Sequence, residues 1–187
     1  IRDLTIDKSW VGVSKRGTYA AYKEKGTRLA GDSTITTGFD HIEELGVNAV
    51  QLLPVFDQDN DEVDTSFNWG YNPLNYNCVE GSYSTNPFDG AKRIKEFKEL
   101  VLAYANNANK TRIIMDVVYN HVASAPASNF TKLMPKYYFR YASDGSYYNG
   151  SGCGNEVKTE APMMRKFIVE SLCWWASEYK IKGFRFD

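Results

Sequence analysis

The chain has 187 residues, with 22 Lys and Arg against 23 Asp and Glu, for a net charge of −1, and 43 % of its residues are hydrophobic. The length suits one domain, and the near-zero charge, with basic residues interspersed among acids, argues against a nucleic-acid partner. No apolar run reaches the roughly 20 residues needed to span a bilayer, and the opening IRDLTID carries charge where a secretion signal would be apolar.

Three cysteines (Cys78, Cys153 and Cys173) at unrelated spacings fit neither a disulfide framework nor a cysteine metal site. With only two histidines, His41 and His121, a histidine-rich metal centre is nearly excluded as well. Aromatic residues are abundant at 14 %, and many fall in polar segments rich in Gly and Asn. Such segments belong on the surface, where ring faces are available to a ligand.

In chain order, the opening IRD reads as the stub of a strand. GFDHIEELG at 38–46 spaces Phe39, Ile42 and Leu45 as an amphipathic helix closed by Gly46. VNAVQLLPV at 47–55 is almost continuously apolar, as a strand buried on both faces of a parallel sheet would be. A helix over 90–108 follows, with Ile94, Phe97, Val101 and Tyr104 on one stripe. RIIMDVVYN at 112–120 is the second strand. Pro162 in the first turn opens a helix over 161–180 with a stripe of Met164, Ile168, Leu172, Trp175 and Tyr179. IKGFRFD is the third strand.

Strands alternating with helices predict a parallel α/β fold. Residues 56–89 and 122–160 are too long for ordinary turns, and both leave the C-terminal end of a strand. In a (β/α)8 barrel those positions build the active site. A complete barrel takes about 250 residues, so 1–187 reads as one incomplete barrel domain, about the first half, with strands 2 to 4 and a stub of strand 1. The competing architecture, a doubly wound open sheet, is disfavoured because no Gly-rich phosphate loop follows a strand.

Alternation along GFRFD puts Arg185 and Asp187 on one face and Phe184 and Phe186 on the other. The phenylalanines are expected to pack outward under helices. The charged pair then faces the barrel axis, where an ion must be paired to be tolerated. Asp116 interrupts an apolar strand in DVVYNH, with Asn120 and His121 at its tip. Asp116 is the obvious partner for Arg185, either as a structural ion pair or as part of a functional rim.

These two stretches resemble conserved segments of the α-amylase clan of glycoside hydrolases. FNWGYNP at 67–73 and NGSGCGN at 149–155 are similar to segments of type I pullulanases, with Phe67 where those carry Tyr. The resemblance implies retaining hydrolysis of an α-glucan polysaccharide or oligosaccharide at α-1,6 linkages. The alternatives are an α-1,4-acting amylase or neopullulanase type, and a catalytically silent, glucan-binding fragment. By resemblance Asp187 is the nucleophile and Arg185 holds it ionised. His121 would bond a sugar hydroxyl, Tyr71 would stack on the sugar ring and Asp116 would support Arg185. Trp69 would serve as a subsite wall, Asn120 as rim scaffold, and Cys153 and Asn155 as contacts beyond the scissile bond. The general acid of such enzymes is a Glu on the strand after GFRFD, so the rest of the barrel is needed. No organic cofactor is implied. Calcium is left open, because the Asn of DVVYNH is a metal ligand in calcium-dependent members of the clan, while no further ligands are evident here.

Overall fold

A computed structural model describes all 187 residues. In chain order the elements are α1 (Arg2–Thr5), β1 (Trp10–Val11), α2 (Tyr19–Tyr22), β2 (Arg28–Leu29), β3 (Asp32–Thr36), α3 (Gly38–Glu44), β4 (Ala49–Leu52), β5 (Phe56–Gln58) and β6 (Pro73–Val79). They continue with α4 (Gly90–Ala105), β7 (Arg112–Val117), α5 (Asn129–Leu133), α6 (Pro162–Glu178) and β8 (Gly183–Phe186). The central sheet has the order β4-β7-β8 and is parallel throughout. Parallel neighbours need long crossovers. One carries the β5–β6 antiparallel hairpin and α4; the other carries α5, a long loop and α6. The sheet is the expected partial barrel, open at its two edge strands β4 and β8.

Local signals place the helix ends. Asp89 caps α4 by accepting from the backbone N–H groups of Ala91 (3.0 Å) and Lys92 (3.2 Å). Pro162 starts α6, and Gly46, at φ +70°, follows the last turn of α3. Trp175 is the largest fully buried side chain. It packs against Phe56, Phe97 and Tyr179 and donates its indole N–H to the Tyr76 carbonyl at 3.2 Å, so its one polar atom is satisfied. This aromatic cluster binds α4 and α6 to the β5–β6 hairpin. No helix is long and apolar enough to cross a membrane.

Five expectations are corrected. Residues 2–5 form a helical turn instead of a strand stub. Buried Arg2 donates to the Ser82 carbonyl at 2.7 Å and lies over the Tyr83 ring, contacts made across 80 residues of chain. In α4 the buried stripe is Phe97, Leu100, Val101 and Tyr104, and Ile94 is exposed. Leu45 of the 38–46 segment is exposed too. Phe186 is 55 % exposed because it sits near the end of edge strand β8, with Val117 as its strand partner and the Tyr119 ring 6.2 Å away. For the same reason β4 is only partly covered, and its Gln51 is exposed. A small antiparallel sheet, β1-β2-β3, was not legible in the sequence.

Candidate active site

The parallel register of β7 and β8 sets Asp116 opposite Arg185. Paired residues project to the same face, and the two side chains meet. Arg185 Nη1 donates to Asp116 Oδ1 at 2.9 Å and Oδ2 at 3.1 Å, and to Asp187 Oδ1 at 3.0 Å. Asp116 is 1 % exposed, whereas the Arg185 side chain is 45 % exposed. The guanidinium therefore links a buried carboxylate to one at the rim. Tyr71, delivered by the β5–β6 connection, donates its hydroxyl to Asp116 Oδ2 at 2.6 Å. Gln51 Nε2 approaches the same oxygen at 3.5 Å.

At the tip of β7, Asn120 Nδ2 donates to Asp187 Oδ2 at 3.2 Å, and Asn120 Oδ1 faces His121 Nδ1. The Asp187 backbone N–H is anchored on the Val117 carbonyl at 3.0 Å. His121 is 5 % exposed, and its carbonyl accepts from the Tyr76 hydroxyl at 3.0 Å. Acid, guanidinium, amide and imidazole thus converge on the C-terminal ends of two neighbouring strands.

The electrostatics follow the contacts. Hydrogen bonds to Asp116 and then Asp187 raise the Arg185 pKa, so the guanidinium stays charged. Burial, followed by the hydrogen bond to Asp116, pushes the Tyr71 phenol up to about 12, which keeps it a donor. Burial lowers the His121 pKa against the opposing pull of the Tyr71 backbone and the Asp187 charge, which favours the neutral ring.

The remaining candidates lie outside this cluster. Trp69 is 61 % exposed and meets exposed Phe67 edge-to-face at 5.8 Å, forming an aromatic lip. Asn155 Oδ1 accepts from the Ala125 N–H at 3.1 Å, and its Nδ2 donates to the Ala123 carbonyl at 3.4 Å. That side chain pins its loop to the segment after His121. Cys153 is exposed and makes its side-chain contact within its own loop.

The sequence does not reveal the place of Gln51 or the loop-organising role of Glu156. Gln51 is the lone amide in an apolar strand. It pairs with Ile114, two residues before Asp116, and so shares the face of Asp116; only the register reveals this. Glu156 organises the 149–156 loop by accepting from the backbone N–H groups of Gly150 (2.6 Å) and Ser151 (3.1 Å) while pairing with Arg140. Glu160 pairs with the same Arg140, so neither glutamate faces Asp187.

Burial works to raise the Glu156 pKa, but Arg140 and the two N–H groups together hold it below the usual carboxylate value. A depressed folded pKa contributes stability above the unfolded value near 4.5 and loses it as pH falls through the folded value. Protection of the 149–156 amides, measured against the intrinsic exchange rate at each pH, is therefore expected to fall below about pH 4.5 relative to pH 6. In Glu156→Gln the loop is expected to be weakly protected at both pH values.

No group of three or more His, Cys, Asp or Glu side chains is arranged to hold a metal ion. The amide of Asn120, the one candidate calcium ligand, is engaged at both ends by Asp187 and His121. The residues present do not fit a calcium site at this position.

A parallel α/β barrel segment with a carboxylate–guanidinium pair and an imidazole at its strand tips defines the class: the catalytic face of a (β/α)8 barrel, in part. The chain belongs to the alpha-amylase catalytic-domain family, whose model matches residues 20–147. It is 40 % identical to a pullulanase of Bacillus subtilis (strain 168), a match covering all of this chain and 26 % of that protein. It is 35 % identical to the chloroplastic isoamylase SU1 of Zea mays, again over the whole chain and 24 % of that protein. Among solved structures, the pullulanase of Paenibacillus barengoltzii in complex with maltohexaose and alpha-cyclodextrin superposes with a TM-score of 0.92 at 47 % identity, covering all of this chain and 29 % of that one. The chain thus spans about a quarter of the length of these two curated relatives.

Proposed function

We propose that the protein carrying this chain is a retaining glycoside hydrolase that cleaves α-1,6 linkages in pullulan, starch or glycogen-type α-glucans. The observation that carries the reading is the Asp187 carboxylate, held through one oxygen by Arg185 and through the other by Asn120, beside His121. The names of the relatives, pullulanases and an isoamylase, support the same chemistry.

In this reading Asp187 attacks the anomeric carbon as the glycosidic C–O bond breaks, forming a glycosyl-enzyme that water then hydrolyses. Arg185 keeps the carboxylate ionised and aimed. His121 bonds a hydroxyl of the sugar being cleaved, and the Tyr71 ring, fixed through its hydroxyl on Asp116, stacks on the apolar face of that sugar. Trp69 forms a wall of the groove. Retaining hydrolysis also needs a second carboxyl group to protonate the leaving oxygen. Glu156 and Glu160 are tied to Arg140 and do not serve.

The open sheet favours a second reading for the 187-residue chain taken alone: it binds maltooligosaccharides weakly and does not turn them over. The test is a full-length protein assayed on pullulan with product-linkage analysis. Release of maltotriose with α-1,4 bonds intact is expected. Cutting of linear α-1,4 chains instead would make it an amylase or neopullulanase type, and pullulan turnover by the 187-residue chain would remove the second reading.

A further inference from the structure

We propose that Asn120 is a positioning residue that orients Asp187 and, through the same amide, fixes His121 as the tautomer protonated on Nδ1. The proposal rests on the reading of Asp187 as nucleophile and adds a role that the reading does not require. A primary amide donates only through nitrogen and accepts only through oxygen. Asp187, as a carboxylate, accepts only, so the NH2 end of Asn120 faces its Oδ2 at 3.2 Å. The carbonyl end is then turned to His121 Nδ1. Because Oδ1 cannot donate, Nδ1 must carry the proton. The flipped amide would set an oxygen against Asp187 Oδ2 and lose that bond.

Neither partner of this amide is free to drift. The Asn120 carbonyl accepts from the Val157 N–H at 2.9 Å, and the His121 carbonyl is held by the Tyr76 hydroxyl. Asp187 is gripped at three points: Oδ1 by Arg185, Oδ2 by Asn120 and the backbone N–H by Val117. Rotation of the carboxylate about its Cβ–Cγ bond breaks one of the first two contacts. The direction of attack is therefore set before substrate arrives, which is how a positioning residue contributes to rate. The Tyr71 backbone also draws on the ring proton, and with Asn120 holding that proton on Nδ1 the Nε2 of the neutral ring is left as an acceptor. It would take a hydrogen bond from a sugar hydroxyl and not give one, so it would reject a ligand that presents only an acceptor there.

The test uses the full-length protein labelled with 15N-histidine, the His121 signals being identified by their loss in His121→Asn. Two-bond nitrogen–proton correlations at neutral pH are expected to show a protonated Nδ1 and an unprotonated Nε2. A neutral ring protonated on Nε2, or an exchanging mixture, would overturn the proposal. In Asn120→Ala the tautomer preference is expected to be lost, and kcat on pullulan to fall about 100-fold with KM within about twofold. If Asn120 were only scaffold, thermal stability would fall while the tautomer persisted. Retained activity in Asp187→Asn would remove the nucleophile reading but leave the spectroscopic result to stand or fall separately.

Discussion

Asp187→Asn in the full-length protein is expected to lower kcat on pullulan by about 10⁴-fold or more, as loss of a nucleophile does, with little change in KM. The substitution is nearly isosteric, and its structural cost should be small. The Arg185–Asp187 contact is partly solvent-exposed, with side chains 45 % and 26 % accessible, and pairs of that kind are worth about 0–1 kcal/mol. Arg185 also keeps its two bonds to Asp116. A stability profile close to wild type beside a collapsed kcat is therefore the expected pair of results. Activity within tenfold of wild type would dismiss Asp187 as nucleophile. A large drop in the unfolding midpoint would instead reassign it as a structural anchor for β8.

Asp116→Ala is expected to act on both stability and rate. Asp116 is buried and accepts from Arg185, from Tyr71 and, at longer range, from Gln51. Removing the carboxylate strands the Tyr71 hydroxyl and leaves a void between β4, β7 and β8. The guanidinium is less affected, since it can turn to Asp187 and to water. A loss of about 2 to 3 kcal/mol follows, below the upper range for a broken buried ion pair because Arg185 is half-exposed. In urea titrations Asp116→Asn should recover part of that loss, since its oxygen still accepts one of the donors. Neither variant offers Arg185 Nη1 the two acceptor oxygens it has in Asp116, so kcat should fall about 100-fold in both. Wild-type stability in Asp116→Ala would show that Tyr71 and Arg185 are held by other contacts.

Arg185 and Asp187 could be placed together from sequence because the two-residue period of a strand puts them on one face whatever surrounds them. Asp116 as the partner of Arg185 needed the further assumption that β7 and β8 are neighbours, which the register satisfies. Gln51 shows where such reasoning stops. Its face depends on how β4 is aligned against β7, a one-residue slip would reverse it, and nothing within VNAVQLLPV sets that alignment. Ile94 and Leu100 make the same point for α4, where both fit an amphipathic helix and only the position of α2, β7 and β6 decides which is covered.

The amino-acid sequence by itself determined the alternation of strands and helices, the ends marked by Pro162 and Gly46, and the charged alternation of GFRFD. All of these arise from interactions among residues a few positions apart. Only the tertiary structure decided that residues 2–5 are helical, that Glu156 serves its loop, and that Asn120 stands between His121 and Asp187. The Arg2–Ser82 and Asn120–Asp187 contacts behind the first and last of these join residues 80 and 67 positions apart in the chain. Those behind Glu156 reach only 5 to 16 positions but run through an irregular loop. Pairings of either kind come from packing, which no local preference encodes.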